Sequence, residues 1–291
     1  MPLRKRNKRA WEWLKPVCLN YNGKDRKEKA SEGGSLEWFE HFDWKVFFPE
    51  QRMYIMRQHN WAFAAWEMER LKGNLQPQSL LVHVDAHLDD TPDGVFVPGL
   101  LEAKSVEQIM AVAQGHDYAS GQVCPPDCMQ IDNFIWAGVA RNTIGKTLFV
   151  SHQDDEVLSL SMLRYDAVHK RNQNCQNIID KLPAGCTYTH QRFMDMDSFL
   201  REVDPNKWSP QQTKILDIDL DYFNMSRDTT PTLQPLEEIR ASLLALRGLC
   251  QWDAITVAIS PEYCGGKEEA DYLLHIFLET FEINLASARE W

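Results

Sequence analysis

The chain has 291 residues, of which 44% are hydrophobic and 25% charged, as in a folded globular protein that is long enough to bury a large core. Its 31 Lys and Arg against 42 Asp and Glu give a formal net charge of −11, which argues against a general affinity for nucleic acid or an anionic membrane and favours a cationic substrate. No run reaches the ~20 apolar residues of a membrane helix, and the basic start lacks the apolar segment of a signal peptide. We therefore expect a cytoplasmic protein.

Two regions differ in composition. Residues 1–45 are predicted to form a polar N-terminal arm and lead-in, because residues 22–35 contain only polar residues, glycine and one alanine. In residues 46–291, short apolar runs alternate with helical periodicity, which predicts an α/β domain of three layers, α/β/α, around a mostly parallel sheet. The predicted strands are 53–56, 80–84, 147–150, 215–216 with its continuation, and 254–259. The predicted helices are 61–71, 106–113, 156–169, 236–249 and 268–285.

Acidic and imidazole side chains follow these strands. In open parallel sheets, ligands bind at the carboxyl ends of the strands, so the residues found there are the candidates for chemistry. In strand order, they are His59; then Asp85, His87 and Asp89; then His152, Asp154 and Asp155; then Asp217, Asp219 and Asp221; and then Glu262. Carboxylates in such positions are costly to bury unpaired, so they either bind cations or contact water.

The pattern Asp85-x-His87-x-Asp89 spaces three ligand types two residues apart, so an extended segment presents all three on one face. Asp217-x-Asp219 repeats this spacing. With His59 these residues form an oxygen-rich set that suits two Mn²⁺ ions better than a structural zinc. A metal pair lowers the pKa of a shared water and generates hydroxide at neutral pH, which indicates a hydrolase.

These motifs resemble those of the ureohydrolases, the arginases and agmatinases, which carry a His at a strand end, Asp-x-His-x-Asp, and a later Asp-x-Asp. The resemblance depends on four short motifs between His59 and Glu262. It implies a dimanganese centre with Asp85 and Asp217 as bridges. It also implies that Asp89 ligates metal while holding the nucleophile by a hydrogen bond, and that Glu262 binds the substrate guanidinium through charge-assisted hydrogen bonds. The implied ligands are His59, Asp85, His87, Asp89, Asp217 and Asp219.

The departures from the family pattern concern the substrate. Residues 90–99, after the first motif, are largely apolar and lack the His that arginases acting on free arginine carry there. The Gly-Gly-Asp that usually precedes the first ligand His is replaced by Met56-Arg57-Gln58. The chain therefore resembles the divergent peptide arginases, which convert arginine to ornithine within a ribosomally made precursor peptide. This resemblance implies an arginine-containing precursor peptide as partner, with Asp154 and Asp155 at the substrate mouth and either His116 or His152 as proton shuttle.

Two other functions are considered. The segment Ser151-His152-Gln153-Asp154-Asp155-Glu156 resembles the Ala-His-Pro-Asp-Asp-Glu motif of zinc-dependent N-deacetylases, but its position in mid-chain and the absence of a downstream His-x-x-His argue against that function. A non-catalytic module that binds arginine without metal is the other alternative. The sequence leaves open whether the protein forms a homo-oligomer.

Several polar residues receive structural interpretations. His83 lies inside a strand between Val82 and Val84, which favours a packed histidine over a ligand. Asp221 would be redundant as a third ligand and is predicted to orient a neighbour or to bind backbone amides. The Cys124–Cys128 pair lacks a second pair at zinc-finger spacing and is predicted to be a loop. Because the seven cysteines are odd in number and scattered, we expect most of them to be reduced.

Overall fold

The computed structural model describes residues 38, 41–115, 128–226 and 231–291. Its eight strands form one sheet, in the order β5-β4-β3-β6-β7-β2-β1-β8. The strands, numbered along the chain, are β1 (Lys45–Phe48), β2 (Met53–Met56), β3 (Ser79–Val84), β4 (Ile144–Val150), β5 (Thr189–Phe193), β6 (Lys214–Asp219), β7 (Ala254–Ala258) and β8 (Arg289–Glu290). The six strands from β5 to β2 pair in parallel, and only β1 and β8 are antiparallel to their neighbours.

Helices connect the parallel strands. The α-helices of the described residues are α1 (Trp61–Leu71), α2 (Val106–Ala113), α3 (Phe134–Ala140), α4 (Leu160–His169), α5 (Gln173–Lys181), α6 (Met196–Glu202), α7 (Leu236–Leu249), α8 (Pro261–Cys264) and α9 (Lys267–Phe281). Short 3₁₀ helices span Pro92–Phe96, Pro205–Lys207, Leu220–Phe223 and Leu285–Ser287. The predicted fold class, α/β with a mostly parallel central sheet in three layers, is confirmed.

Alternation along the strands separates two apolar layers. On β2, Tyr54 and Met56 belong to the buried core that also contains residues of α1, α2 and α3. Ile55 between them is equally buried but lies outside that core, as expected when successive side chains point to opposite faces. Leu243 of α7 and Phe277 of α9 are also buried outside it. Helices thus cover both faces of the sheet, which explains why the central strands are continuous apolar runs.

The long predicted elements agree with the structure, and the differences occur at their ends and in elements that the sequence analysis missed, among them helices α3, α5 and α6. Helices α1, α2 and α7 have their predicted bounds. Helix α4 starts four residues later than predicted, because the Ser159 side chain accepts a hydrogen bond from the backbone N–H of Met162 and caps the helix there. Helix α9 ends early, at Phe281, because Glu282 adopts a left-handed conformation. The sequence analysis missed β1, β5 and β8, which lie at or near the sheet edges, where short or half-exposed strands lack a continuous apolar run.

The order in which strands are added to the sheet reverses at β3. Strands β4 and β5 lie on one side of β3, whereas β6 and β7 lie on the other. In open α/β sheets this kind of switch point opens a crevice beyond the carboxyl ends of the neighbouring strands. The segments after β3 and β6 therefore occupy the position where a ligand is expected.

The predictions about membrane helices and cysteines can be compared with the described residues. None of their helices combines the length and the apolar character needed to cross a membrane. The described cysteines are free thiols: Cys128, Cys175, Cys186, Cys250 and Cys264. The other two, Cys18 and Cys124, lie outside the described residues.

Candidate metal centre

A cavity of about 450 Å³ opens beyond the carboxyl ends of the central strands. Most of its lining is polar, and it contains five of the six residues predicted to bind metal. The lining residues are His59, Asp85, His87, Asp89, Asp90, Thr91, Gln130, Ile131, Asp132, Gln153, Asp219, Asp221, Ser260 and Tyr263.

The cavity side chains come from the ends of adjacent strands. Asp85 follows β3 directly, and its Oδ1 accepts a 2.6 Å hydrogen bond from the backbone N–H of His87, which turns the chain. Asp219 is the last residue of β6, and its Oδ1 accepts from the N–H of Asp221 at 3.0 Å. Ser260 follows β7 and donates to Asp219 Oδ2 at 2.5 Å. Carboxylates from neighbouring parallel strands thus lie close together at one edge of the sheet.

Three carboxylates converge on one ring nitrogen of His59. Its Nδ1 atom lies 3.2 Å from Asp85 Oδ2, 3.1 Å from Asp89 Oδ2 and 3.2 Å from Asp219 Oδ2. This nitrogen is buried and has no hydrogen-bond partner, although three oxygens surround it. An imidazole nitrogen and carboxylate oxygens at such separations, without hydrogen-bond geometry, are the arrangement expected of ligands around a cation.

A second group adjoins the first. His87 Nδ1 lies 3.0 Å from Asp221 Oδ2 and 3.3 Å from Asp85 Oδ1. Asp85 therefore belongs to both groups, with Oδ2 facing His59 and Oδ1 facing His87. Both groups could hold a metal ion by the spacing of their ligand atoms. A carboxylate with one oxygen in each of two cation sites is a bridging ligand, so this geometry suits a metal pair.

The electrostatics of the cluster show an excess of negative charge. Burial raises the pKa of Asp89 well above its usual range, and the Asp85 charge raises it further. Burial likewise raises the pKa of Asp221, with the charges of Asp219 and Asp85 adding to it. Hydrogen bonds to Asp221 and Asp85 raise the pKa of His87 to about 12. The raised pKa values mean that the cluster favours bound protons in the absence of metal, and a divalent cation would compete with these protons.

Asp217, the remaining predicted ligand, does not line the cavity. It is buried within β6, where Asp217 Oδ2 lies 3.0 Å from His59 Nε2 and 2.7 Å from His83 Nδ1. His83 is fully buried, as predicted for a packed histidine. His59, His83 and Asp217 also have ligand atoms close enough to hold an ion, but of these three only His59 lines the cavity. Asp221, which was predicted to orient a neighbour or to bind backbone amides, accepts a hydrogen bond from the N–H of Ala86 at 3.2 Å and also lines the cavity.

Glu262, the predicted guanidinium ligand, already binds a guanidinium of this chain. Arg57 Nη2 donates to Glu262 Oε1 at 2.8 Å, and the Glu262 side chain is 50% exposed. Glu262 is the second residue of the short helix α8 and does not line the cavity, whereas the next residue, Tyr263, does. Its assignment to substrate binding therefore stays a prediction, and it requires the Arg57 pair to open.

The segment after β4 contributes Gln153 rather than its acidic residues. Gln153 Oε1 accepts from the N–H of Leu88, and Gln153 Nε2 donates to Asp155. Asp154 and Asp155 are exposed, and neither lines the cavity. The His152 ring stacks on Tyr222 with centroids 4.4 Å apart.

The proton shuttle and the deacetylase alternative depend on the same segment. His152, one candidate shuttle, does not line the cavity, and the other, His116, lies outside the described residues. Over residues 41–115, 128–226 and 231–291, none of the three possible ligand groups includes His152, Asp154 or Asp155. A zinc site of the deacetylase type therefore has no ligand cluster in this part of the chain.

Comparisons with known proteins were made for sequence and for structure. No known family profile matches the chain, and no curated protein is similar to it in sequence. Among solved structures, proclavaminate amidinohydrolase from Streptomyces clavuligerus matches at 12% identity and a TM-score of 0.39, over 79% of this chain and 63% of that one. The arginase of Bacillus cereus matches at 12% identity and a TM-score of 0.37, over 80% of this chain and 71% of that one.

A third match is the arginase of Bacillus caldovelox, at 14% identity and a TM-score of 0.37, over 80% of this chain and 69% of that one. Two of these three proteins are arginases, the enzymes that the strand-end motifs resemble. The chain spans less than two thirds of the length of the amidinohydrolase. Likeness at these TM-scores carries no conclusion about function, which depends on the side chains of the cavity.

Proposed function

We propose that this protein is a metal-dependent hydrolase with a dimanganese centre, which converts peptidyl arginine to peptidyl ornithine and urea during maturation of a ribosomally synthesised peptide. The observation that carries the proposal is the position of Asp85, whose two oxygens face two different imidazole nitrogens, those of His59 and His87. A shared carboxylate between two imidazoles is what a pair of metal ions requires.

The residues present fit two hard cations. One ion would be held by His59 Nδ1 with Asp85, Asp89 and Asp219, and the other by His87 Nδ1 with Asp85 and Asp221. Carboxylate oxygens outnumber imidazole nitrogens in this set, and thiolates are absent from it, which favours Mn²⁺ over zinc. When bound, such a pair supplies an activated water at neutral pH.

The remaining cavity wall favours a cationic substrate. Asp132 and Asp90 line it beside the proposed ligands, and Asp132 Oδ2 accepts a hydrogen bond from Thr91 Oγ1 at 3.1 Å. The Asp132 carboxylate is half-buried, and its other oxygen can accept from a planar guanidinium. Burial raises the pKa of Asp90, which a nearby substrate cation would lower again. We therefore assign guanidinium binding primarily to Asp132.

The cavity also favours arginine within a peptide over the free amino acid. Free arginine carries an α-carboxylate, which needs a cationic or N–H donor partner when it is desolvated. Neither Lys nor Arg occurs among the described residues that line the cavity. In a peptide this carboxylate is an amide, and no such partner is required.

The reaction balances with water as the only co-reactant. Water adds to the guanidinium carbon, the bond from that carbon to the arginine Nε breaks, and the departing amine takes a proton. Asp89, whose Oδ2 atom lies in the cavity, would ligate the metal and hold the attacking water by a hydrogen bond. Tyr263, whose ring contacts His87 at 5.3 Å between centroids, borders the same space.

The test is an assay of the Mn²⁺-loaded protein with an arginine-containing peptide, the same peptide with Lys in place of Arg, and free arginine. We expect urea release and a peptide mass loss of about 42 Da from the arginine peptide alone, as metal-assisted hydrolysis of the guanidino group requires. Asp85→Asn should abolish the reaction, whereas Asp180→Asn, which changes an exposed carboxylate outside the cavity, should preserve it. Urea from free arginine at an equal rate would contradict the peptide specificity, and no urea from either substrate would contradict the reaction.

A further inference from the structure

A buried pair of residues, His83 and Asp217, lies directly behind the proposed metal ligand His59. Both have 0% exposed surface, and they are cross-strand neighbours on β3 and β6. Thr256 of β7 is the neighbour of Asp217 on its other side. This row of three polar side chains crosses the middle of the sheet, where apolar residues are the rule, so it needs an explanation.

Asp217 accepts hydrogen bonds at both carboxylate oxygens. Its Oδ1 accepts from Thr256 Oγ1 at 2.5 Å, and Thr256 Oγ1 in turn accepts from Trp66 Nε1 at 3.2 Å. Its Oδ2 lies 2.7 Å from His83 Nδ1 and 3.0 Å from His59 Nε2. Because an ionised carboxylate can only accept, these contacts place a proton on His59 Nε2 and another on His83 Nδ1.

The proton on Nε2 decides what His59 can do in the cavity. A neutral imidazole with Nε2 protonated has its lone pair on Nδ1, the atom that Asp85, Asp89 and Asp219 surround. The ring is also held in place by stacking, with the His83 centroid at 5.5 Å and the Phe134 centroid at 4.6 Å. His59 is thus oriented as a ligand before any ion arrives.

We propose that Asp217, held by His83 and Thr256, is a positioning residue that sets the tautomer and the orientation of His59 and so strengthens metal binding, and that it is not itself a ligand. The inference rests on the proposed metal pair and deepens it. Three observations favour it over ligation: Asp217 does not line the cavity, both of its oxygens are engaged, and it lies two residues before Asp219, or about 6.6 Å deeper along the strand.

The first test compares Mn²⁺ binding by the full-length wild type and Asp217→Asn, with free Mn²⁺ measured by electron paramagnetic resonance. Carboxylates that orient a ligand histidine typically contribute 10–100-fold to metal affinity. We therefore expect Asp217→Asn still to bind two Mn²⁺ per chain, with the affinity of one site lowered by about 10–100-fold. Unchanged affinity would overturn the inference, and so would loss of one ion from the stoichiometry, since that is the behaviour of a ligand.

A control and a second pair of variants separate positioning from folding. Glu67→Gln alters another buried carboxylate, which lies outside the cavity, and should leave Mn²⁺ affinity unchanged. At position 83, Asn can donate from its amide where the imidazole Nδ1 now lies, whereas Leu cannot. His83→Asn should therefore retain more of the affinity than His83→Leu. Equal affinities of these two variants would mean that His83 acts only by packing, which would contradict its part in the proposal.

A spectroscopic readout addresses the tautomer itself. In ¹⁵N-histidine-labelled protein loaded with diamagnetic Zn²⁺, wild-type His59 should show a protonated, hydrogen-bonded Nε2 and a metal-shifted Nδ1. In Asp217→Asn the Nε2 proton should exchange faster with solvent, because its acceptor is weakened. An identical Nε2 signal in both proteins would overturn the inference. Failure of the wild type to bind two metal ions would instead refute the proposed function, so the two failures are distinguishable.

Discussion

Two buried clusters of charge in this protein differ in how they are neutralised. On α1, Glu67 Oε2 accepts from Arg141 Nε at 2.5 Å, and Arg141 also donates to the backbone oxygens of Leu100 and Ala103. Glu67 Oε1 accepts from the hydroxyl of Thr143. The carboxylate has its cation, and the cation has its acceptors, so this cluster is complete as folded.

The cavity cluster has no such cation. Asp85, Asp89, Asp219 and Asp221 surround two imidazoles, and no Lys or Arg is among the described residues that line the space. Burying carboxylates without a compensating charge is costly, and the raised pKa values of Asp89 and Asp221 express that cost. The source of the compensating charge, rather than burial alone, therefore distinguishes a structural cluster from a binding site.

The largest effect is expected at the residue shared by both proposed metal sites. Asp85→Asn should lower the Mn²⁺ affinity by more than about 100-fold, beyond the range of residues that merely orient ligands, and should abolish urea release. Folding should be retained, because the Asn side chain has nearly the same size and shape as that of Asp. Isothermal titration with Mn²⁺ and the urea assay check this, and wild-type affinity in the variant would disprove the dinuclear site.

The opposite result is expected at the structural cluster. Glu67→Gln should destabilise the fold by about 3 kcal/mol, because Arg141 would be left buried without its counter-charge. The Mn²⁺ affinity of the variant should equal that of the wild type. Urea denaturation measures the free energy of unfolding, and a variant as stable as the wild type would remove the contrast between the two clusters.

Substrate binding is expected to depend on Asp132 in the cavity wall more than on Glu262. Asp132→Asn should raise KM for an arginine peptide by roughly 10-fold, the value of one hydrogen bond to a charged group, without changing Mn²⁺ affinity. Glu262→Gln should have a smaller effect, because Glu262 is half exposed and already paired with Arg57. Steady-state kinetics of the two variants decide between these residues. A larger KM increase for Glu262→Gln would mean that Glu262, which the sequence motifs favoured, binds the guanidinium.

The smallest effect is a pH dependence. Since Asp89, Asp221 and His87 have raised pKa values without metal, their protonated forms are favoured and Mn²⁺ must compete with protons for them. Mn²⁺ should therefore bind more tightly at pH 8 than at pH 6, with net proton release. Titration calorimetry in buffers of different ionisation enthalpy counts those protons, and affinity independent of pH would contradict the charge excess.

The sequence predicted the central strands because buried parallel strands are continuous apolar runs, and it predicted the Asp85, His87 and Asp89 triplet from its spacing of two. It assigned Asp217-x-Asp219 as ligands and treated Asp221 as redundant, although Asp219-x-Asp221 has that same spacing. The choice depends on where β6 ends, and the structure ends it at Asp219, which leaves Asp217 inside the sheet. The position of a strand end depends on tertiary pairing, and one sequence does not reveal it.

Glu262 illustrates a second limit of sequence patterns. Its distance from the other motifs fits a substrate ligand, but the turn at Pro261 starts a helix, in which adjacent residues point about 100° apart. Tyr263 therefore borders the cavity while Glu262 contacts Arg57. A pattern of spacing predicts that residues lie near a site, whereas the local backbone decides which of them enter it.

Asp89 and Ser260, which both line the cavity, share a left-handed backbone, with φ of 48° and 41°. Such conformations cost a non-glycine residue on the order of 1 kcal/mol or more. Their benefit is that both side chains reach the cluster, Asp89 towards His59 and Ser260 towards Asp219. Selection for stability alone would place glycine at these positions, so Ser260 and Asp89 mark where activity and thermal tolerance of this protein are in conflict.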